Sequence, residues 1–204
     1  NKELSVIHQE LENLPNQNQT FLITIEPWPT PVGFKYDSNN ELLNAIINGS
    51  YNQTILDICQ ILSNTNRPVY IRWGHEMEMS NSRYPWAGAS PALFKEAYQK
   101  FVNLCKSKIN SDKVKFVWSP AGEQGLENYW PGEEYVDLIG LSVYSYDQYE
   151  YKYFNRRRTF QEVFLPIYQR VEKFGKPILI AEMGVTGTDD YKIKWIENVI
   201  NELN

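Results

Sequence analysis

Short apolar runs alternate with longer amphipathic stretches along almost the whole chain, and this alternation limits the fold more than any other feature. The runs lie at 21–25 (FLITI), 69–72 (VYIR), 114–118 (VKFVW), 136–140 (VDLIG) and 178–181 (ILIA). Each is short and mostly apolar, as a strand covered on both faces must be. Helical patterns fill the intervals, at roughly 2–13, 51–64, 91–108, 159–174 and 189–203. Ser90 and Pro91 open one of these helices in the favoured cap-then-proline manner, and Gly175 with Pro177 closes another. Strand and helix in alternation, with no linker or internal repeat, specify a parallel sheet in a single domain over 1–204.

Two of the runs lead into a carboxylate. Glu76 follows the second, in Pro68-Val-Tyr-Ile-Arg-Trp-Gly-His-Glu-Met77, and Glu182 follows the fifth, in Lys176-Pro-Ile-Leu-Ile-Ala-Glu-Met-Gly184. In an α/β barrel, chemistry sits where strands end and loops begin, so two such acids can face one another across one cleft. Facing acids suit glycosidic bond cleavage. Its oxocarbenium-like transition state needs one carboxyl protonated at the leaving oxygen and another ionised. Glu76 and Glu182 are candidates for those roles, although either acid alone reads as an ordinary exposed carboxylate. His75 alternates to the other side of its strand end and reaches an acid or a sugar hydroxyl only through a twist of the loop.

Composition supports a sugar ligand and argues against others. The chain holds 14 Tyr, 9 Phe and 6 Trp, many of them near strand ends. A pyranose offers a face of C–H groups that stacks on a ring while its hydroxyls bond to polar neighbours; large aromatics also fill cores. A net charge of −5 with scattered cations argues against a nucleic-acid surface. The short cluster Arg156-Arg157-Arg158 reads as a solvated face. Cys59 and Cys105 each fall in an amphipathic helical stretch and read as reduced core residues, since spacing alone cannot reveal a pairing. No run approaches the roughly 20 apolar residues that cross a bilayer. The sequons at Asn18, Asn48 and Asn52 carry no weight without a known host. The chain starts at Asn1 with neither Met nor a signal peptide, and so reads as a processed chain, an expression product or a fragment.

The wording of the motifs adds what spacing cannot. Arg72-Trp-Gly-His-Glu-Met77, Tyr84-Pro-Trp86, Phe116-Val-Trp-Ser-Pro120, Trp130-Pro-Gly132, Tyr135-Val-Asp-Leu-Ile-Gly-Leu-Ser-Val-Tyr144 and Pro177-Ile-Leu-Ile-Ala-Glu-Met-Gly184 occur in this order. Ile25-Glu-Pro-Trp28 and Asn48-Gly-Ser-Tyr51 precede them. Together they resemble glycoside hydrolase family 26 over almost the whole chain. That family contains β-mannanases and some β-glucanases and β-xylanases, all retaining enzymes on a (β/α)8 TIM-type barrel.

The resemblance implies Glu76 as general acid/base at the end of barrel strand four and Glu182 as nucleophile at the end of strand seven. It implies that His75 lines the subsite of the reacting sugar and that Tyr144, at the end of strand six, hydrogen-bonds to the nucleophile. Arg72 corresponds to an arginine beneath the site, where a fixed cation favours the ionised form of Glu182. Trp28, Trp86 and Trp118 become candidate sugar platforms with an equal claim to be core. A retaining pair stands about 5 to 5.5 Å apart and needs no metal or cofactor. The implied partner is a polysaccharide or oligosaccharide, and the implied location is extracellular or in the cell envelope.

The chain departs from the family pattern in two places. Many members carry His-Glu-Met-Asn-Gly and then a Trp that packs on the reacting sugar. Here the segment from Glu76 to Trp86 is roughly two residues longer, with Arg83 at the place of that Trp. A guanidinium offers directional donors where an indole offers stacking, which suits a substituted or anionic sugar. Glu78 in the same loop reads as a solvated or substrate-contacting acid. The second departure is extent: about strands three to seven are recognisable, strands one, two and eight are not, and an eight-stranded barrel takes about 250 residues. The expectation is therefore an incomplete barrel with exposed strand edges, belonging to a longer polypeptide with other domains. A catalytically silent carbohydrate-binding relative fits the same residues as the endo-β-glycosidase.

Overall fold

A computed structural model describes residue 9 and residues 19–29, 35–65, 67–80, 83–109 and 112–203. The helical pattern over 2–13, residue 9 apart, and the sequon at Asn18 lie outside the described residues. The apolar runs become strands β1 (Phe21–Ile25), β2 (Val69–Trp73), β3 (Val114–Trp118), β4 (Leu138–Ser145) and β5 (Ile178–Val185). They form one parallel sheet in the order β1-β2-β3-β4-β5. Helices α1 (Asn39–Ile47), α2 (Asn52–Ser63), α3 (Pro91–Lys106), α4 (Asp147–Phe154), α5 (Phe160–Val171) and α6 (Asp189–Leu203) accompany it. The fourth strand starts two residues later than the apolar run suggests. Asp137 turns the chain instead, its carboxylate accepting the backbone N–H of Phe116 at 2.7 Å.

Strand parity sorts side chains between two faces. Val69, Ile71 and Trp73 are buried on the helix-covered face, where Trp73 stacks on Phe101 of α3 with ring centres 5.4 Å apart. In register with them are Val114 and Phe116 of β3, followed by Trp118. Arg72, of opposite parity and in register with Thr24, faces the other side, where its Nε donates to the Thr24 hydroxyl at 2.9 Å. Helix α3 buries Phe94, Ala97, Tyr98, Phe101, Val102 and Cys105, the i, i+3, i+4, i+7 stripe of an amphipathic helix. Helix α5 begins with a reciprocal capping box between Thr159 and Glu162.

One irregularity in β5 places a functional group. Ile178 pairs with Ile139 and Ile180 with Leu141, both on the helix-covered face, and simple alternation puts Glu182 there too. The register slips between Leu141 and Ser142, so that Glu182 pairs with Ser142 and Gly184 with Tyr144. The extra residue, Ala181, is a β-bulge that turns Glu182 to the opposite face.

The sheet is also strongly curved. Arg72 of β2 bonds to Glu182 of β5, although strands three places apart in a flat sheet stand about 14 Å from one another. Only a concave sheet brings them within reach, so the five strands form a half-barrel with its helices outside. Neither terminal strand contains a fully buried residue, whereas β2 and β3 are almost wholly buried.

Two expectations need correction. Cys59 of α2 and Cys105 of α3 are not reduced: they face each other with Cα atoms 5.1 Å apart and form a disulfide. The arginine cluster is not simply solvated. Arg156 pairs with Glu162, Arg157 with Asp147 and Arg158 with Glu150, so each cation is matched by a local carboxylate.

Candidate active site

Glu76 and Glu182 lie at the same end of the parallel sheet, and neighbouring groups shift their acidities in opposite directions. Burial alone raises the pKa of Glu182, but two donors overcome it. The Tyr144 hydroxyl donates to Oε2 at 2.7 Å and Arg72 Nη2 donates to Oε1, holding the carboxyl below the ordinary range. Burial raises the pKa of Glu76, and the negative charge of Glu182 raises it further, against the pull of the Ser142 hydroxyl and the Arg72 and Arg83 cations. The result is a pair of carboxyls whose acidities are pushed apart, Glu76 upward and Glu182 downward.

Local backbone explains how each acid is presented. Gly74 and Glu76 both have positive φ, at 57° and 55°. For glutamate this left-handed conformation is unfavourable by about 1–3 kcal/mol and persists only when surroundings enforce it. The Glu76 N–H donates to the Ser119 carbonyl at 2.8 Å, pinning the turn to the end of β3. On β5, Gly184 makes room for Tyr144: a Cβ at Gly184 would stand 2.8 Å from the tyrosine ring. The glycine lets the ring lie across β5 with its hydroxyl on Glu182.

His75 is buried and neutral, its pKa pushed down to about 4 by burial and by the Arg72 cation. Its Nε2 shares a hydrogen bond with the Tyr84 hydroxyl at 3.0 Å, and its Nδ1 is buried with no hydrogen-bond partner. Trp86 is fully buried below this pair, stacked on Tyr84 and donating from its indole to the His75 carbonyl at 2.7 Å. Trp86 therefore supports the loop and presents no ring face to solvent. Trp28 does: it is 46% exposed, and its indole N–H donates to Glu26 Oε2 at 2.7 Å. Arg83 is exposed, its guanidinium 5.2 Å from the centre of the Tyr84 ring.

Trp118 is corrected from platform to core. It shares the face of Phe116, is fully buried and packs edge-on against Trp130 and Phe174. Strand parity from Val114 through Phe116 foretells this. Glu78 is also not a solvated acid. It is half-buried, and its Oε1 accepts the backbone N–H groups of Gly122 at 2.8 Å and Glu123 at 3.1 Å, tying the loop after β2 to the loop after β3. Three groups at the site escaped sequence reasoning. Glu26 lies with its Oε1 4.0 Å from His75 Nε2, Tyr84 contacts His75, and Tyr146 stacks on Tyr144. The only signal for any of them is position just beyond a strand or within a recognised motif. Among the described residues, no three His, Cys, Asp or Glu side chains group together as metal ligands.

The family model for glycosyl hydrolase family 26 matches residues 9–203. The chain belongs to glycosyl hydrolase family 26. A β-1,3-xylanase from Vibrio sp is 30% identical over 112 residues, covering 52% of this chain and 23% of that protein. A mannan endo-1,4-β-mannosidase from Bacillus subtilis (strain 168) is 26% identical over 152 residues, covering 68% of this chain and 37% of that protein. The catalytic domain of an endo-β-1,4-mannanase from Bacillus sp. JAMB-750 superposes with a TM-score of 0.72 at 17% identity, covering 98% of this chain and 56% of that one. The last likeness is one of fold: the five-stranded half-barrel matches part of a (β/α)8 barrel. This family 26 chain thus spans from under a quarter to just over a third of those two curated relatives.

Proposed function

We propose that this protein is a retaining endo-β-glycosidase in which Glu182 is the nucleophile and Glu76 the general acid/base. One observation carries the assignment: across a single concave face, Glu182 is held ionised by Arg72 and Tyr144 while Glu76 is driven toward its protonated form. In the first step a Glu182 oxygen attacks the anomeric carbon, the glycosidic C–O bond breaks, and the Glu76 proton passes to the leaving oxygen. In the second, Glu76 takes a proton from water as the water oxygen displaces Glu182, and both acids return to their starting states. Neutral His75, buried beneath the site, positions the Tyr84 hydroxyl through their shared hydrogen bond. Trp28 is the exposed platform for a sugar ring, and Glu26 beside it accepts sugar hydroxyls.

The substrate is a β-linked polysaccharide, whether mannan, xylan, β-glucan or a bacterial exopolysaccharide. The named activities of the relatives support the first two classes. Arg83 at the mouth supports a substituted or anionic sugar, and an Arg83→Trp variant with an unchanged substrate profile would remove it from selection. The Cys59–Cys105 disulfide supports an oxidising location, extracellular or in the cell envelope. The family match over 9–203 supports reading 1–204 as a single glycoside-hydrolase barrel domain within a longer chain.

The anomeric configuration of the first product, followed by NMR, tests the double displacement. Retention supports it, and inversion rejects Glu182 as nucleophile. A second reading keeps the same residues in a binding protein without turnover, since the exposed Trp28 ring and the hydrogen-bonding groups beside it suit a glycan whether or not it is cleaved. Oligosaccharide binding without any release of reducing ends would select it.

A further inference from the structure

Helix α4 is built inside out. A surface helix ordinarily turns its rings inward and its carboxylates to water. In α4 the one buried residue is Glu150, at 0% exposure, while Tyr149, Tyr151 and Tyr153 are 49%, 51% and 58% exposed. A buried carboxylate is unfavourable unless its charge is matched and its oxygens are bonded. Arg158 does both, with Nε 2.7 Å from Oε2 and Nη2 3.0 Å from Oε1. The same guanidinium lies 3.7 Å from the centre of the Phe154 ring. At the helix start, Asp147 accepts from Arg157 Nε at 2.6 Å, and its N–H donates to Thr186 Oγ1 at 2.9 Å. These ties hold the helix in one orientation, with its rings outward.

The outward rings form a row. Tyr149 and Tyr153, four residues apart, share one side of the helix, and Tyr146 is the exposed cap residue immediately before it. The rings of Tyr149 and Tyr153 are 4.5 Å apart. Tyr146 stacks on Tyr144 at 5.5 Å with planes 13° from parallel, and Tyr144 holds Glu182. The exposed rings therefore lead from Tyr144, which holds Glu182, through the cap residue Tyr146 onto the helix, where Tyr149 and Tyr153 span about 6 Å of axis. Burial and the charges of Glu76 and Glu182 raise the pKa of the Tyr146 hydroxyl, consistent with a start beside both acids.

We propose that Tyr146, Tyr149 and Tyr153 form a binding platform for the part of a β-linked glycan that extends beyond the catalytic centre, an inference that rests on the glycosidase reading above. Each ring offers a face to sugar C–H groups and a hydroxyl to sugar oxygens, a pairing that an aliphatic patch lacks. Continuity with the cleft through Tyr144 selects a glycan over a protein partner. The buried Glu150–Arg158 pair is the fixture that keeps the platform facing out.

The test uses the full chain carrying Glu76→Gln, so that binding is measured without turnover and with the Arg72–Glu182–Tyr144 contacts intact. Calorimetric titration compares manno-, xylo- and gluco-oligosaccharides of two to six units against the same protein with Tyr149→Ser and Tyr153→Ser added. Affinity should rise with length in the parent, and the added pair should weaken the longer ligands about tenfold while leaving the shortest unchanged. Equal weakening at all lengths, or none, overturns the platform and leaves the catalytic reading standing. If no oligosaccharide binds the parent, both readings fail. A dimer of the parent that the two serines abolish, with sugar affinity unchanged, assigns the face to a second copy and also overturns the proposal. Tyr153→Ser alone, checked by circular dichroism, guards against a helix that simply unfolds.

Discussion

The ion pair between Arg72 and Glu182 has an asymmetry that can be measured. Arg72 is 5% exposed at its side chain and Glu182 29%, and Arg72 Nη1 has no hydrogen-bond partner. Glu182→Gln strands a buried cation, whereas Arg72→Met strands a carboxylate that keeps Tyr144 and partial access to water. Removing one partner of a well-buried pair is unfavourable by about 3–5 kcal/mol. The Glu182→Gln loss should lie near the lower end of that range. Arg72→Met should lose about 1.5–2 kcal/mol, reduced because solvent screens the exposed side of the pair. The double variant should fall short of the sum by about 1.5 kcal/mol. Urea unfolding of the four proteins at pH 7 gives the coupling directly. Because the folded pKa of Glu182 is depressed, the coupling is complete above the unfolded carboxylate pKa and fades as pH falls through the folded one. Additive losses at pH 7, or a larger loss for Arg72→Met than for Glu182→Gln, would refute the arrangement.

Three further perturbations probe the same geometry. Tyr144→Phe removes one donor from Glu182 and should move the acidic limb of the pH–rate profile to higher pH with a lower kcat; an unmoved limb would mean that the hydroxyl does not tune this acid. Glu76→Gln should end activity yet raise the melting temperature at pH 7, since a carboxyl with a raised pKa destabilises the fold wherever it is ionised. That gain should shrink as pH falls through the raised folded pKa of Glu76 and vanish below the unfolded carboxylate pKa, and a lower melting temperature at pH 7 would count against the burial argument. Gly184→Ala should displace the Tyr144 ring and reduce activity at least as much as Tyr144→Phe; an alanine enzyme with full activity would show that the ring does not depend on that space.

Much of the architecture was legible because buried parallel strands are written as continuous apolar runs, and all five appear in the expected order. The two helices that were missed, α1 and α4, have different reasons. Helix α1 follows directly on a polar turn, and α4 reverses the usual amphipathic pattern by burying Glu150 and exposing its tyrosines. Position after an apolar run singles out both acids and motif wording assigns their roles, but their facing is not derivable from alternation. Parity assigns Glu182 to the face of Ile178 and Ile180, and only the bulge at Ala181 turns it into the cleft. The same parity rule, applied to Val114, Phe116 and Trp118, does place Trp118 in the core. The disulfide needed three dimensions, because α2 and α3 bring together residues separated by 46 positions.

The most direct test of the central claim is the release of new reducing ends from β-mannans, β-xylans, mixed-linkage β-glucans and bacterial exopolysaccharides, with Glu76→Ala and Glu182→Ala as controls. Two acids at one end of the sheet, with acidities shifted in opposite directions, predict release from at least one substrate that falls to background in both variants. Release that persists in either variant, or none from any substrate with the unaltered protein, would contradict the assignment.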